Sequence, residues 1–506
     1  AGGAAIASGC ATLQKHIQSK RPNVLLIVDD QHSPRAVGCA GQSQAITPNL
    51  DRLAAEGVRF TNGYCSSPVC APTRHTLYTG LYISEHGVLH NDLPMRDVPT
   101  MISMLNQAGY TTANIGKMHN APYHHRRDFQ YVLHHEFFDC AAGISHFAPF
   151  LKHHLNRRGI QPKDWSKPRP GKQTWLEHVD TIAFTADWLP EDLTAEHWIT
   201  DESLRFIRSQ LADRPDQPFF LHASYFPPHH PYAPIPKYAA LYQPEAMELP
   251  PNYSREKLAE WCKSKSTPDG ITDEEVKRMR ACYFGFCAQV DAEIGRLLKG
   301  LDQLGVAENT MVIFVSDHGD MLGEHGRFYK GVMYEASARV PFIVRWPGVS
   351  DPREESVPVM HADLVPTILC AAGVNVPASL PGRDLRPLLG GAGNWSDRAI
   401  YSEYFSASAS HLMIRRGPFK LIASAPYGRW TDFQYNLFNV VDDPWECVDL
   451  AEDPTQGRLL RELQAELMTI WNRQREFLPK EIPPVTPRST YKIPYPADPW
   501  QPVFPA

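Results

Sequence analysis

Asn23-Val24-Leu25-Leu26-Ile27-Val28 is a nearly unbroken apolar run that ends abruptly in Asp29-Asp30. A strand with one wet face alternates polar and apolar residues. A run without alternation belongs to a strand covered on both faces, as in a parallel sheet flanked by helices. Carboxylates at the C-terminal end of such a strand stand where α/β folds place their active sites. Thr47-Pro48 then offers a helix cap and a first-turn proline, Asn49 to Glu56 follow as a helix, and Gly57 closes it. Val58 to Phe60 read as the next strand. Phe219 to Ala223, Met311 to Val315 and Pro341 to Arg345 are further strands, and a long helix spans about Glu274 to Leu304. The expected fold is α/β, with a large central, mostly parallel sheet flanked by helices.

At 506 residues the chain suits one large domain and a smaller one. From about Arg398 the alternation of strand and helix stops. Leu412 to Arg416, Lys420 to Ala423 and Tyr435 to Val440 read as short strands, followed by a helix from Gln456 to Arg475. Residues 21–390 are therefore assigned to the large α/β domain and 391–475 to a smaller C-terminal antiparallel sheet with one helix. Residues 476–506 form a tail rich in proline and aromatics, expected to wrap the body or a second copy in a homo-oligomer. In residues 1–20, Ala7-Ser8-Gly9-Cys10 resembles the end of an export signal with a lipidated cysteine, which implies a periplasmic or lipid-anchored protein. Net charge is −6, and no basic excess points to nucleic acid. The ten cysteines contain no C-x-x-C pair and are too few for a disulfide scaffold in a chain of this size. Between Asn120 and Arg158 lie His124, His125, His134, His135, His146, His153 and His154, with Arg126, Arg127, Arg157 and Arg158. A loop-rich insertion over the site, offering cations to an anionic substrate, is expected there; a histidine metal site is the alternative.

Cys70-Ala-Pro-Thr-Arg-His-Thr-Leu-Tyr-Thr-Gly80 reads as a helix with Pro72 in its first turn and Gly80 at its end. A first-turn side chain feels the positive end of the helix dipole, which favours an anionic nucleophile and an anionic substrate beside it. Arg74 lies one turn along on the same face. These features are equally consistent with a reactive and with a structural thiol.

C-x-P-x-R followed, after four intervening residues, by Thr79-Gly80 resembles the signature of formylglycine-dependent sulfatases of the alkaline phosphatase superfamily. The usual form carries serine where this chain has Thr73. The resemblance extends over roughly residues 21 to 475 in the family's order. It implies that Cys70 is oxidised to formylglycine by a formylglycine-generating enzyme. Asp29-Asp30 and Asp317-His318 are similar to the family's metal-binding pairs, which implies one divalent metal held by Asp29, Asp30, Cys70, Asp317 and His318. Calcium is the first expectation, with Mn²⁺ or Mg²⁺ as alternatives. Physically, adjacent acids at a buried strand end repel unless a cation lies between them.

Gly116-Lys117-Met118-His119 is similar to an element whose lysine contacts sulfate and whose histidine acts as base. Pro228-His229-His230-Pro231 resembles the element that supplies the leaving-group histidine, at His229, with His230 the flanking alternative. Lys330 matches a second sulfate-binding lysine, and Arg74 completes the cationic set. The implied activity is hydrolysis of the sulfate ester of a glycan or small molecule. The alternatives are a phosphonate monoester or phosphodiester hydrolase of the same fold, an aryl or choline sulfatase, and a binding protein that lacks the oxidised cysteine.

Overall fold

The computed structural model describes residues 21–483, apart from 92, 120–127, 136–144, 161–182, 265–269, 394 and 396–397. The leader-like residues 1–20, the tail from 484 onward, and His124, His125, Arg126 and Arg127 lie outside the described residues.

The apolar run forms strand β1 (Asn23–Asp30), buried along its whole length. Val24, Leu26 and Val28 enter one core, and Leu25 and Ile27 enter another on the opposite face. Each fully buried aliphatic side chain contributes roughly 1.5–3 kcal/mol, so β1 has a driving force on both faces. The other strands of its sheet are β2 (Val58–Phe60), β3 (Thr111–Gly116), β4 (Tyr131–His134), β5 (Phe219–Pro228), β6 (Thr310–Ser316), β7 (Phe342–Arg345) and β8 (Arg353–Glu355). They are ordered β4-β3-β5-β1-β6-β7-β2-β8. β1 pairs in parallel with β5 and β6; only β7 runs antiparallel to its neighbours. The expected α/β fold with a large, mostly parallel sheet is what the structure has.

The helices include α1 (Pro48–Glu56), α2 (Cys70–Thr79), α3 (Phe147–Arg158), α4 (Ala195–Asp213), α5 (Arg255–Ser264) and α6 (Asp273–Gln303). Thr272 and Glu275 form a capping box at the start of α6. Pro48 is the first-turn proline of α1, but Thr47 makes no side-chain cap bond. Its hydroxyl instead accepts from Gly38 N at 2.8 Å and donates to Asp51 Oδ1 at 3.1 Å.

Two expectations need correction. The 120–158 stretch is not simply loop: β4 and α3 lie within it, and β4 extends the main sheet. Its His134 and His135 are buried and pushed down to about 3 by burial, hence neutral, while Arg158 pairs with Asp192 at 2.6 Å. The C-terminal sheet has four strands, not three. Ala399–Phe405 precedes Ser410–Arg416, Phe419–Ala425 and Gln434–Asn439, all antiparallel in that order, and α7 (Gly457–Gln474) packs on them.

A buried charge cluster joins the C-terminal sheet to the segments around Tyr64 and Glu335. Lys420, fully buried, pairs with Glu335 Oε1 at 2.9 Å and with Glu446. Tyr64 donates to Glu335 Oε1 at 2.9 Å, and Arg339 reaches Glu335 Oε2 at the same distance. Removing one partner from such a cluster leaves buried charge uncompensated, at a cost of roughly 3–5 kcal/mol. Lys420→Met should therefore lower the unfolding free energy by about that much in denaturant titration. A loss below about 1 kcal/mol would show that the cluster is incidental to stability.

Candidate active site

Four strands deliver the site. β1 and β6 are adjacent and parallel, so Asp30 and the residues after Ser316 emerge side by side. β3 ends in Gly116, whose φ of 104° and close approach to Ser224 O leave no room for a Cβ. Lys117 N then donates to Ser224 O at 2.9 Å, which aims the lysine inward. β5 carries Ser224 and leads to His229.

Cys70 is the first residue of α2, whose ten residues are all buried, and Gly80 closes the helix in the left-handed region. The Sγ atom lies 3.1 Å from His318 Nε2, 3.0 Å from Lys330 Nζ and 3.8 Å from Asp30 Oδ1. Burial and Asp30 push this thiol up, against the pull of Lys117 and Lys330. Asp30 itself is pushed up by burial, but Lys117 leads a set of cations that outweighs burial and holds it well below the usual carboxylate range.

Arg74 is fully buried, and its guanidinium is spent on the protein. Nε donates to Asp317 Oδ2 at 2.8 Å, one Nη to Ser224 Oγ at 2.7 Å and Lys117 O at 3.1 Å, and the other Nη faces Asp30 Oδ2 at 3.5 Å. Lys117 Nζ pairs with Asp30 Oδ2 and sits 5.1 Å from the centre of the Phe226 ring. Lys330 Nζ also donates to Gln31 Oε1 at 2.7 Å. His229 is buried, with Nδ1 donating to His230 O at 2.6 Å; burial, with Lys330 next, holds it well below its usual value. His119 follows Lys117 by two residues, buried and with φ 52°.

The side chains of Asp30, Cys70, Asp317 and His318 place four ligand atoms within 4.8 Å of one another. His318 Nδ1 donates to Gly319 O at 3.0 Å, so the Nε2 lone pair points at Asp317 Oδ1 (3.4 Å) and Asp30 Oδ1 (3.6 Å). A lone pair facing two carboxylates is repulsive unless a cation sits between them, and a neutral imidazole with its other nitrogen held by a carbonyl is a metal ligand's usual state. Burial pushes His318 to about 4, which keeps it neutral. Asp29 lies outside this set of four. Its Oδ2 is 2.5 Å from His32 Nδ1, while Oδ1 is buried with no hydrogen-bond partner. These residues fit a divalent cation. No second group of ligands of this kind occurs among the described residues, the 134–154 histidines included.

Three neighbours have no place in the motifs read above. Gln31, with φ 70°, takes the ammonium of Lys330 on Oε1 and gives Nε2 to Asp320 Oδ2 at 2.5 Å and to His230 Nδ1 at 3.2 Å. Asp320 also accepts from Tyr232 and from the backbone of Leu322 and Tyr329. Thr73 Oγ1 lies 2.9 Å from His361 Nδ1. Gln31 and Asp320 adjoin the acidic pairs and were findable by proximity; His361, nearly 300 positions from Thr73, left no sequence signal.

A buried thiol at a helix N-terminus, ringed by lysines and carboxylates at the ends of parallel strands, is a setting suited to an anionic ester. The sequence profile described as Sulfatase matches residues 22–374, and one described as N-sulphoglucosamine sulphohydrolase, C-terminal, matches residues 323–473. An arylsulfatase of Clostridium perfringens is 31% identical over 425 residues, 78% of this chain and 84% of that protein. An N-acetylglucosamine-6-O-sulfatase of Bacteroides thetaiotaomicron is 26% identical over 89% of this chain and 84% of its own length. The crystal structure of a phosphonate monoester hydrolase of Agrobacterium radiobacter superposes with a TM-score of 0.75 at 23% identity, covering 90% of this chain and 96% of that one. The chain belongs to the sulfatase family, hydrolases of sulfuric esters within the alkaline phosphatase superfamily.

A ligand that binds only the folded chain raises its stability by about 2.7 kcal/mol at 100 times its dissociation constant. Adding a divalent cation to chelator-stripped protein should therefore raise the unfolding midpoint, and Asp317→Asn should cancel most of the rise. An equal rise in both proteins would put the metal elsewhere.

Proposed function

We propose that the chain hydrolyses the sulfate ester of a carbohydrate, with residue 70 as nucleophile after oxidation of its thiol to formylglycine. The observation that carries this reading is the setting of Cys70, first in α2 and within 3.1 Å of both Lys330 Nζ and His318 Nε2. The thiol stands in for the hydrated aldehyde, which supplies one hydroxyl for attack on sulfur and a second for the release of sulfate. Calcium, held by Asp30, Asp317, His318 and residue 70, would supply a Lewis acid that lowers the pKa of that hydroxyl. Carbohydrate is favoured by the N-acetylglucosamine-6-O-sulfatase relative and by the match of residues 323–473 to a sulphoglucosamine sulphohydrolase region. Maturation then requires a formylglycine-generating enzyme as a partner.

The other side chains divide the remaining work. Lys117 and Lys330 bring ammonium groups to the sulfate oxygens and stabilise charge as the S–O bond breaks. Arg74 holds Asp30 and Asp317 in place and keeps the oxyanion region positive. His229, its Nδ1 held by His230 O, carries on Nε2 the proton given to the departing alcohol. The charge of a bound sulfate opposes the burial that depresses this imidazole. His119 accepts the proton lost as sulfate leaves.

Mass spectrometry of the peptide containing residue 70 tests the nucleophile directly, and an unmodified thiol in active protein would sink it. Cys70→Ala should abolish turnover, whereas Cys65→Ala, five residues upstream, should retain it. Lys330→Ala should lower kcat by about 100- to 1,000-fold, the usual range for one lost oxyanion donor. Aryl sulfate should be turned over in preference to an aryl phosphonate monoester, which carries the same single charge; the reverse preference would replace sulfatase with phosphonate hydrolase.

A further inference from the structure

The ring of His229 is the first in a run of aromatic side chains that leads away from residue 70. His229 and His230 stack with centroids 4.0 Å apart and planes at 27°. His230 meets Tyr329 at 4.2 Å, and Tyr329 meets Trp261 at 5.7 Å. The rings come from three places: the segment after β5, the loop that carries Lys330, and α5. They grade in exposure. His229 is 5% exposed, while His230, Tyr329 and Trp261 are only half-buried. Phe328, 6.0 Å from Trp261, is buried at 2% and does the core packing for this corner.

Core packing alone does not explain the outer rings. Tyr329 holds φ 68°, a conformation that bulky residues rarely adopt, and its N–H is fixed on Asp320 Oδ1 at 3.0 Å. That geometry sets the ring against His230 while the next residue, Lys330, reaches Cys70 Sγ. Gln31 ties the wall to the catalytic centre, with Lys330 on its Oε1 and His230 on its Nε2. The inner end of the wall is thus locked to the group that handles the leaving alcohol, and its outer end opens to solvent.

We propose that His230, Tyr329 and Trp261 form the leaving-group subsite, which takes the apolar face of the ring that bears the ester. The occupant is a pyranose of a sulfated glycan. Its C–H face matches tilted aromatic rings, which also contribute through their quadrupoles, and an acyclic alcohol has no such face to offer. The identity of the ester rests on the sulfatase reading above; the preference for a ring does not.

The test compares Trp261→Ala, Trp261→Phe and the unaltered enzyme on glucose 6-sulfate and on butyl sulfate. Losing one ring contact should raise the KM for the cyclic ester relative to the acyclic one by about tenfold, with the change in KM rather than kcat. Trp261→Phe, which keeps an aromatic face, should restore most of the ratio. Equal losses on both esters, or a Phe variant as poor as the Ala variant, would assign Trp261 to folding and overturn the proposal. Should the Ala variant fail to fold, the unaltered enzyme decides: glucose should inhibit competitively where butanol at the same concentration does not, and equal inhibition overturns the subsite. If only phosphonates are hydrolysed, the same pair of alcohols as phosphonate monoesters reads the subsite separately from the sulfatase assignment.

Discussion

Asp30 and Asp317 are carboxylates sealed at the ends of adjacent parallel strands, and the rest of the site follows from the need to compensate them. An unpaired buried charge costs several kcal/mol even after relaxation. Arg74 answers by bridging the two, Lys117 by pairing with Asp30, and Lys330 by approaching Asp30 Oδ1 at 3.9 Å. Asp29 is kept out of this exchange by its own partner, His32. Three fixed cations then face two carboxylates, and the pocket is positive before any metal is counted. Such a pocket draws in a singly charged ester, and its groups are already oriented, so little reorganisation is needed as charge builds on the leaving oxygen. The same requirement explains why Arg74 has so few donors left over. In the structure it is a strut that fixes the positions of Asp30, Asp317 and Lys117.

The C-terminal sheet belongs to this scheme although it contributes no residue to the Asp30–Cys70–Asp317–His318 set. Lys330 lies on an irregular segment between β6 and Glu335. That segment is pinned at several points, with Met321 N on Tyr329 O, Gly331 N on Pro68 O, and Glu335 N on Glu446 Oε2 at 2.6 Å. Glu446 and Lys420 come from the small domain, and Arg415 Nε reaches Tyr64 OH at 3.2 Å within the same knot. Arg35 adds a second clamp, with its guanidinium 3.7 Å from the Trp445 ring centre and Nε on Glu324 Oε1. A lysine on an unpinned loop would lose its orientation to side-chain and backbone entropy. Docking the small domain removes that freedom.

The legible parts of the fold were those where burial acted on both faces of a strand. β1 and β6 read as unbroken apolar runs because each residue meets a core. β3 is illegible in the sequence because Thr111, Thr112 and Asn114 are buried polar residues that break its apolar pattern, and Thr112 is satisfied by Gln130 and Asn106, neighbours that sequence spacing does not reveal. Ala399–Phe405 was missed for a related reason, since Ser402 and Glu403 interrupt its apolar pattern, and Glu403 is accommodated by Ser84 and Tyr401. At the site, the motif residues were readable and the network around them was not. Asp30, Cys70, Lys117, Asp317, His318 and Lys330 converge as their motifs imply, whereas the Gln31–Asp320–Tyr232 chain and the Thr73–His361 bond depend on contacts between distant segments. Arg74 shows what a motif leaves unsaid, since its guanidinium already donates to Asp317, Ser224 and Lys117 O. A motif names a residue, but only the fold shows how many of its donors are already committed.

Under the formylglycine reading, burial also fixes when the modification occurs. Cys70 is 1% exposed, Thr73 and Arg74 are fully buried, and every residue of α2 lies beneath the surface. An oxidising enzyme has to grip Cys70 together with its flanking residues, and the folded chain offers none of them. The native thiol is also held in its less reactive protonated form by burial and by Asp30. Extracting α2 would break the Arg74 bonds and leave Asp30 and Asp317 without compensation, so exposure by local opening is costly. On that reading, oxidation would have to precede the docking of α2.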